Sequence, residues 1–248
     1  MKISLIIGIK NRSDHFFQTL PFMLSQVGVN YELIIVDFFS KPEFYKRLHK
    51  ELEIRKETRS SCLKKIKLVS VLEDLKYNPR KCKNLGAKIA KGDILAFSDA
   101  DVFLSQDYLF HWRKTIYGEN FMASRIQETM GSKAKRISKE INYGNLVVHR
   151  DDFMDCGGWD ESIATYGGDD DDMFHRLKLY GLREINPYNE IEAKQWSILH
   201  GDELRLSQFE NTKRVDSEKE FERIYSNSDF INTNNSFFKY KNYRIETL

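Results

Sequence analysis

Apolar and polar residues change period along this chain, and the changes mark out its elements. The runs at residues 4–9 and 32–37 are short, rich in Ile, Leu and Val, and almost free of polar side chains, as strands buried on both faces are. Between them Phe16, Leu20, Met23 and Leu24 recur at the spacing of one helix face. After Pro42 a charged helix is predicted to about Glu57, then a strand over residues 67–72, a helix over 79–90 and a strand over 92–97. Pro79 suits a first helical turn and Gly92 a helix stop. A helix carrying Trp112 and Tyr117 comes next, followed by strands near residues 121–127 and 145–149, a glycine turn at 157–158, and a helix that starts in acid and runs to Tyr180. Strand and helix in this order predict a parallel sheet with right-handed crossovers.

No Pro/Gly/Ser-rich linker interrupts this pattern, so residues 1–206 read as one α/β domain. Residues 207–248 read as a C-terminal helical appendage and tail, in which Phe221, Ile224 and Tyr225 fall at i, i+3 and i+4. The expectation is that one helix packs on the core and the chain then frays. Phe237, Phe238, Tyr240 and Tyr243 are interleaved with Lys239, Lys241 and Arg244; docking on the core is the favoured reading, and peripheral contact with a membrane surface or a partner is the alternative.

Charge changes the picture little. A net charge of +2 over 248 residues argues against a nucleic-acid partner, which calls for a basic stripe. Cys62, Cys82 and Cys156 lack metal-ligand spacing and cannot all pair within one chain, as free thiols in a reducing cytoplasm would be. The start, Met1 to Gly8, resembles a signal peptide but is broken by Lys10, Asn11 and Arg12, so it reads as a first strand. No apolar stretch reaches the ~20 residues that span a bilayer.

Two acidic elements carry the chemistry. Asp169-Asp170-Asp171-Asp172 follows Gly167-Gly168 and opens into Met173, Phe174 and Leu177. Four adjacent carboxylates exceed what a helix cap needs, and they repel one another. Ser98-Asp99-Ala100-Asp101 follows the apolar run 94–97, so its carboxylates emerge where a strand ends, the place at which open α/β sheets bind ligands. Hard oxygen ligands there suit Mg²⁺ or Mn²⁺ held together with phosphate groups.

With Asn84-Leu85-Gly86-Ala87 and Gly157-Gly158-Trp159-Asp160-Glu161, these elements resemble, in order and surroundings, GT-A fold glycosyltransferases. The likeness is greatest to the inverting family 2 enzymes and to the galactosyltransferase group, whose acceptor-side motif reads Gly-Gly-Glu-Asp-Asp-Asp. The resemblance covers about the first two hundred residues. It implies a single nucleotide-diphospho-sugar transferase domain with a mostly parallel central sheet, acting on a UDP-sugar donor and a hydroxyl of a glycan or glycolipid acceptor with Mn²⁺ or Mg²⁺.

The resemblance also assigns residues. Asp101 is the metal ligand, with His200 placed where several family members have a metal-binding histidine. Asp99 faces the ribose and shares in ordering the metal. Asp37, ending the run 34–37, matches the position that contacts the nucleoside, although this chain continues Phe38-Phe39-Ser40 where the family has a second acid and Gly-Ser. Arg12, Arg80, Lys83 and Asn84 are placed to meet uridine or phosphate oxygens. Asp170 aligns with the general base, Asp171 with the group that holds acceptor hydroxyls, and Asp169 replaces the usual Glu. Trp159 is expected to offer an apolar platform to a sugar face. The loops around residues 142–145 and 165–168 would shape donor and acceptor choice.

Two other classes remain at this stage. A nucleotidyltransferase also uses paired carboxylates and a metal, but Gly8-Ile9-Lys10-Asn11-Arg12 is a poor phosphate loop. A catalytically silent sugar-binding protein of the same fold fits less well, because carboxylates stand at the metal, base and acceptor positions together. The implied setting is cytoplasmic glycan assembly, peripheral at most on the inner face of the membrane.

Overall fold

The computed structural model describes residues 1–116, 118, 120–126, 128–130, 142–163, 167–185, 191–198, 217–233 and 237–248. Its centre is an eight-stranded sheet. Strands β1 (Ile3–Ile9), β2 (Tyr31–Asp37), β3 (Leu63–Val71) and β4 (Ile94–Ser98) run parallel in the order β3-β2-β1-β4. Beyond β4 the sheet turns antiparallel through β8 (Asn142–His149) and β6 (Asn120–Ile126), and β9 (Arg183–Ile185) then joins β6 in parallel. A smaller sheet is built from β5 (Val102–Leu104), β10 (Gln195–Ile198) and β7 (Glu128–Met130), with β10 in the middle.

Helices cover both faces of the large sheet, which explains its near-continuous apolar strands. On one face α1 (Ser13–Leu24), α2 (Pro42–Ile54) and α4 (Tyr108–Thr115) bury Phe16, Leu20, Leu48 and Trp112 against Leu5, Ile7, Leu33 and Ile35. On the other α3 (Pro79–Ile89), α5 (Arg150–Asp155) and α6 (Asp169–Leu179) bury Leu85, Phe153, Met173 and Leu177 against Ile6, Ile34, Leu95 and Phe97. The outer face of α6 is met by α7 (Ser217–Ser226), which buries Ile224.

The tail departs from expectation. Rather than fraying, residues 243–247 form β11 (Tyr243–Thr247), an antiparallel edge strand on β3. Ahead of it a 3₁₀ turn (Phe237–Lys239) buries Phe237 against Phe38 at 5.9 Å, and Phe237 stacks on Tyr240 at 4.3 Å. Phe238, Tyr240 and Tyr243 pack on the same cluster. These aromatics thus dock on the core, the reading favoured from the sequence.

Gly157 shows how tightly the C-terminal segment is seated. Its φ is 74°, a conformation that an L side chain resists. A Cβ there would come 2.2 Å from the carbonyl oxygen of Asn232, while the Asn232 N–H donates to Cys156 O at 3.0 Å. Gly157→Ala should therefore cost at least the ~1–2 kcal/mol of a left-handed non-glycine residue. Urea denaturation checks this, and an unchanged midpoint would contradict the packing.

Candidate active site

Segments leaving the carboxyl ends of the parallel strands bring the charged residues together. The segment after β1 delivers Arg12, and the segment after β4 delivers Asp99 and Asp101; Arg12 Nη1 lies 3.0 Å from Asp101 Oδ2. The backbone of this turn is fixed from outside. Asn145, buried on β8, accepts the Asp99 N–H at 3.2 Å through Oδ1 and donates through Nδ2 to Gln195 Oε1 at 2.6 Å. The Ile198 N–H donates to Asp101 O at 2.9 Å, so β10 clasps the same turn.

Helix α3 brings the basic residues. Asn78 caps it, accepting the Arg80 N–H at 3.0 Å, with Pro79 in the first turn. The helix lies close on β1 because two side chains are missing. A Cβ on Gly8 would sit 2.6 Å from Cys82 Cβ, and one on Gly86 would sit 2.4 Å from Ile6 Cγ2. That approach carries Arg80 and Lys83 to the mouth of the sheet, both almost wholly buried.

Helix α6 brings the second acidic element, and its geometry divides the four aspartates. Successive residues are turned by ~100°, so i and i+3 share a face. Asp169 pairs with Arg80 at 3.0 Å. Asp172 pairs with Arg176 at 2.7 Å, and the same guanidinium donates to the carbonyls of Cys156 at 2.7 Å and Gly158 at 2.8 Å. Asp169 thus ties α6 to α3, and Asp172 orients the guanidinium that ties it to the 156–158 turn. Asp170 turns the other way, and its Oδ1 is 3.8 Å from Lys83 Nζ. Lys83 Nζ is also 3.7 Å from Asp99 Oδ1 and 4.4 Å from the centre of the Trp159 ring. The strand-end and helix-start acids thus meet at one ammonium group.

The charges are unbalanced. Arg12, Arg80 and Lys83 face Asp99, Asp101, Asp169 and Asp170. Asp170 Oδ1 is shielded from solvent and accepts no hydrogen bond among the described residues. Burial first, and then the neighbouring Asp169 and Asp99, push its pKa up to about 8 against the pull of Lys83 and Arg80. Asp99 is raised by burial and by Asp101, with Lys83 and Arg12 opposing. Burial alone would lower the Lys83 ammonium, but Asp99, Asp170 and Asp169 outweigh it and the pKa is raised. An excess of hard oxygen donors beside strand-end backbone fits a divalent cation. Among the described residues no group of three or more His, Cys, Asp or Glu forms such a centre; the strand-end pair Asp99 and Asp101 is what the turn after β4 offers.

Arg12, Arg80, Lys83, Asp99, Asp101 and Asp170 are brought together. Asp37 stands at the end of β2, buried, accepting the Ser40 N–H at 3.2 Å, and burial raises its pKa. Asp171 lies half-buried on the first turn of α6. His200, Tyr117, Thr165 and the boundary near residue 206 lie outside the described residues.

Two assignments are corrected. Trp159 is fully buried, edge-on to Phe97 at 5.8 Å, and forms the floor beneath Lys83 rather than a platform for sugar. Asn84, also fully buried, donates to Trp159 O at 2.9 Å and Glu161 Oε1 at 2.8 Å and accepts the Trp159 N–H at 2.9 Å. Its hydrogen bonds hold the 157–161 turn, leaving none for a phosphate. Asn145, Gln195, Glu161 and Arg176 were missed. For Arg176 a signal existed, since Asp172 and Arg176 are spaced i, i+4.

Comparison with known proteins agrees with this layout. Residues 4–120 match the model described as glycosyltransferase like family 2. Residues 128–198 match the one described as N-terminal domain of galactosyltransferase. Human chondroitin sulfate synthase 3 is 26% identical over 141 residues, covering 48% of this chain and 16% of that protein. The chain spans 16–21% of the length of the curated relatives it matches. Among solved structures, Staphylococcus aureus TarS in complex with UDP-GlcNAc superposes with a TM-score of 0.64 at 16% identity, over 90% of this chain and 64% of that one. A mutant Drosophila beta1,4-galactosyltransferase 7 with manganese, UDP-Gal and xylobiose gives 0.56 at 16% identity, over 88% and 79%. At such identities the likeness shows the fold.

The division of the aspartates is testable by stability. Asp172→Asn leaves Arg176 buried without its charge partner and should cost about 3–5 kcal/mol. Asp170→Asn should behave differently. In the folded chain Asp170 titrates at about 8, against ~3.9 unfolded. Between those values the native state holds the extra proton, so stability falls as pH rises. Urea denaturation in EDTA across that range should show this fall in the unaltered chain and a shallower one in Asp170→Asn; equal slopes would contradict the assignment.

Proposed function

We propose that this chain, which has the GT-A fold and matches family 2-like and galactosyltransferase models over separate parts of its length, is a metal-dependent, inverting glycosyltransferase. It moves a hexose or N-acetylhexosamine from a UDP-sugar to a hydroxyl of a glycan acceptor. One observation carries the reading: the strand-end acid Asp99 and the helix-start acid Asp170 meet at Lys83, with Asp101 on the same turn as Asp99 and paired to Arg12. Relatives whose structures hold UDP-GlcNAc, or manganese with UDP-Gal and xylobiose, support the same class of donor, metal and acceptor.

The roles follow from chemistry. A divalent cation at Asp101, with Asp99 beside it and His200 as a helper, would neutralise the diphosphate as it leaves. Arg12 holds the Asp101 carboxylate in place. Lys83 supplies positive charge between donor and acceptor, where developing negative charge needs a preorganised partner. Asp37 sits at the strand end where the nucleoside would lie. Asp170 takes the proton of the attacking hydroxyl, and its raised pKa matches that task near neutral pH. Asp171, one position further round the helix, holds acceptor hydroxyls. Attack opposite the leaving group in a single displacement turns an α-linked donor into a β-linked product.

Screening UDP-Gal, UDP-GalNAc, UDP-Glc and UDP-GlcNAc should find one from which Mn²⁺ stimulates UDP release. Asp101→Ala should lose metal-dependent UDP affinity in calorimetry. Asp170→Asn should keep UDP binding but lose about 10²–10⁴ in turnover. Since the base acts unprotonated, kcat/KM should climb as pH approaches about 8 and then level. An Asp170→Asn enzyme within a few-fold of the unaltered one, or an α-linked product by NMR, would contradict the mechanism.

A further inference from the structure

Two non-glycine residues among those described adopt positive φ, Asn11 at 54° and Phe39 at 60°. Asn tolerates this region, but a bulky aromatic does so at a cost that glycine would not incur. The resemblance places a Gly-Ser pair at this point, and here the pair is Phe39-Ser40. The chain therefore keeps a glycine-like backbone and adds a ring to it.

The surroundings hold that backbone in place. Ser40 N–H donates to Asp37 Oδ1 at 3.2 Å, Asn11 N–H donates to Ser40 Oγ at 2.9 Å, and Lys41 N–H donates to Asn11 Oδ1 at 2.7 Å. Thus the β2 exit is strapped to the β1 exit, whose next residue, Arg12, pairs with Asp101. Phe38 fills the core slot, buried between Tyr77 and Phe237 at 5.9 Å from each. Phe39 is left 42% exposed at the β2 exit, two residues past Asp37. Strain held in place by several hydrogen bonds, around an exposed ring at a ligand-binding edge, is a reason to look for a ligand.

We infer that Phe39 is a specificity-determining contact for the donor, offering its ring to the planar nucleobase of a nucleoside diphosphate. The inference rests on the donor reading proposed above. A flat aromatic face with one polar neighbour, the Asp37 carboxylate, suits a base that stacks and hydrogen-bonds along its edge. The diphosphate would then extend from Asp37 toward Arg12 and Asp101.

Phe39→Gly separates the ring from the backbone, because glycine fits the positive φ. The variant should melt higher than the unaltered chain and bind UDP, with Mn²⁺, about ten-fold more weakly or worse. Its affinity for inorganic diphosphate with Mn²⁺ should be unchanged, since that probe has no base. Phe39→Asn, which also accommodates this φ, should follow Phe39→Gly. Undiminished UDP binding in both variants would overturn the inference alone, as would a parallel loss for UDP and inorganic diphosphate, which would mark a distorted loop. If the unaltered chain binds none of UDP, GDP, CDP and ADP, the donor reading falls and the inference with it.

Discussion

A lysine ammonium is costly to bury alone, and the arrangement of this protein turns on how Lys83 is accompanied. Its amine is shielded on the mouth side of the sheet, with Asp99 and Asp170 each within 4 Å and the Trp159 ring beneath it. An uncompensated charge there would cost several kcal/mol. Neither carboxylate belongs to the same element as the other, so the ammonium links a strand end to a helix start. Remove the link and Asp170 is left among like charges. Keep it, and the Asp170 carboxyl, raised by burial and by Asp169 and Asp99, is held beside the strand-end acids with the ammonium drawing its pKa back down.

Much of the remaining architecture serves that meeting. Gly8 and Gly86 let α3 approach β1 closely enough to deliver Lys83. Arg176 fixes α6 against the 156–158 turn, and Asn84 fixes the following turn against α3, so Trp159 is held from both sides. Glu161 accepts both the Asn84 side chain and the Phe237 N–H, which carries the same network into the C-terminal segment. Three of the four aspartates therefore have separate tasks: Asp169 joins α6 to α3, Asp172 orients Arg176, and Asp170 is left facing Lys83. A charge run that looks uniform in sequence becomes heterogeneous because a helix turns each residue by ~100°.

The parallel half of the sheet was legible because doubly buried strands have a strong local signal, and Pro79 and Gly92 marked their helix correctly. The strand-end and helix-start acids were legible for the same reason. Their convergence was not, since it depends on how closely α3 lies on β1. Trp159 and Asn84 misled because residue type alone does not report burial: an aromatic and an amide suit a ligand and a core equally well until packing decides. Asn145 and Gln195 act through backbone and side-chain bonds 46 and 50 residues apart in sequence, which no local pattern encodes. The edge strand β11 was hidden by its charged composition, which a solvated edge permits.

The most direct test of the Lys83 meeting point is an NMR titration of the Asp170 side-chain carboxyl in metal-free protein, with and without Lys83→Met. The expected result is an apparent pKa near 8 in the unaltered chain, moving higher when the ammonium is removed. A value near the ordinary ~3.9 of an aspartate, indifferent to Lys83, would contradict the shared site.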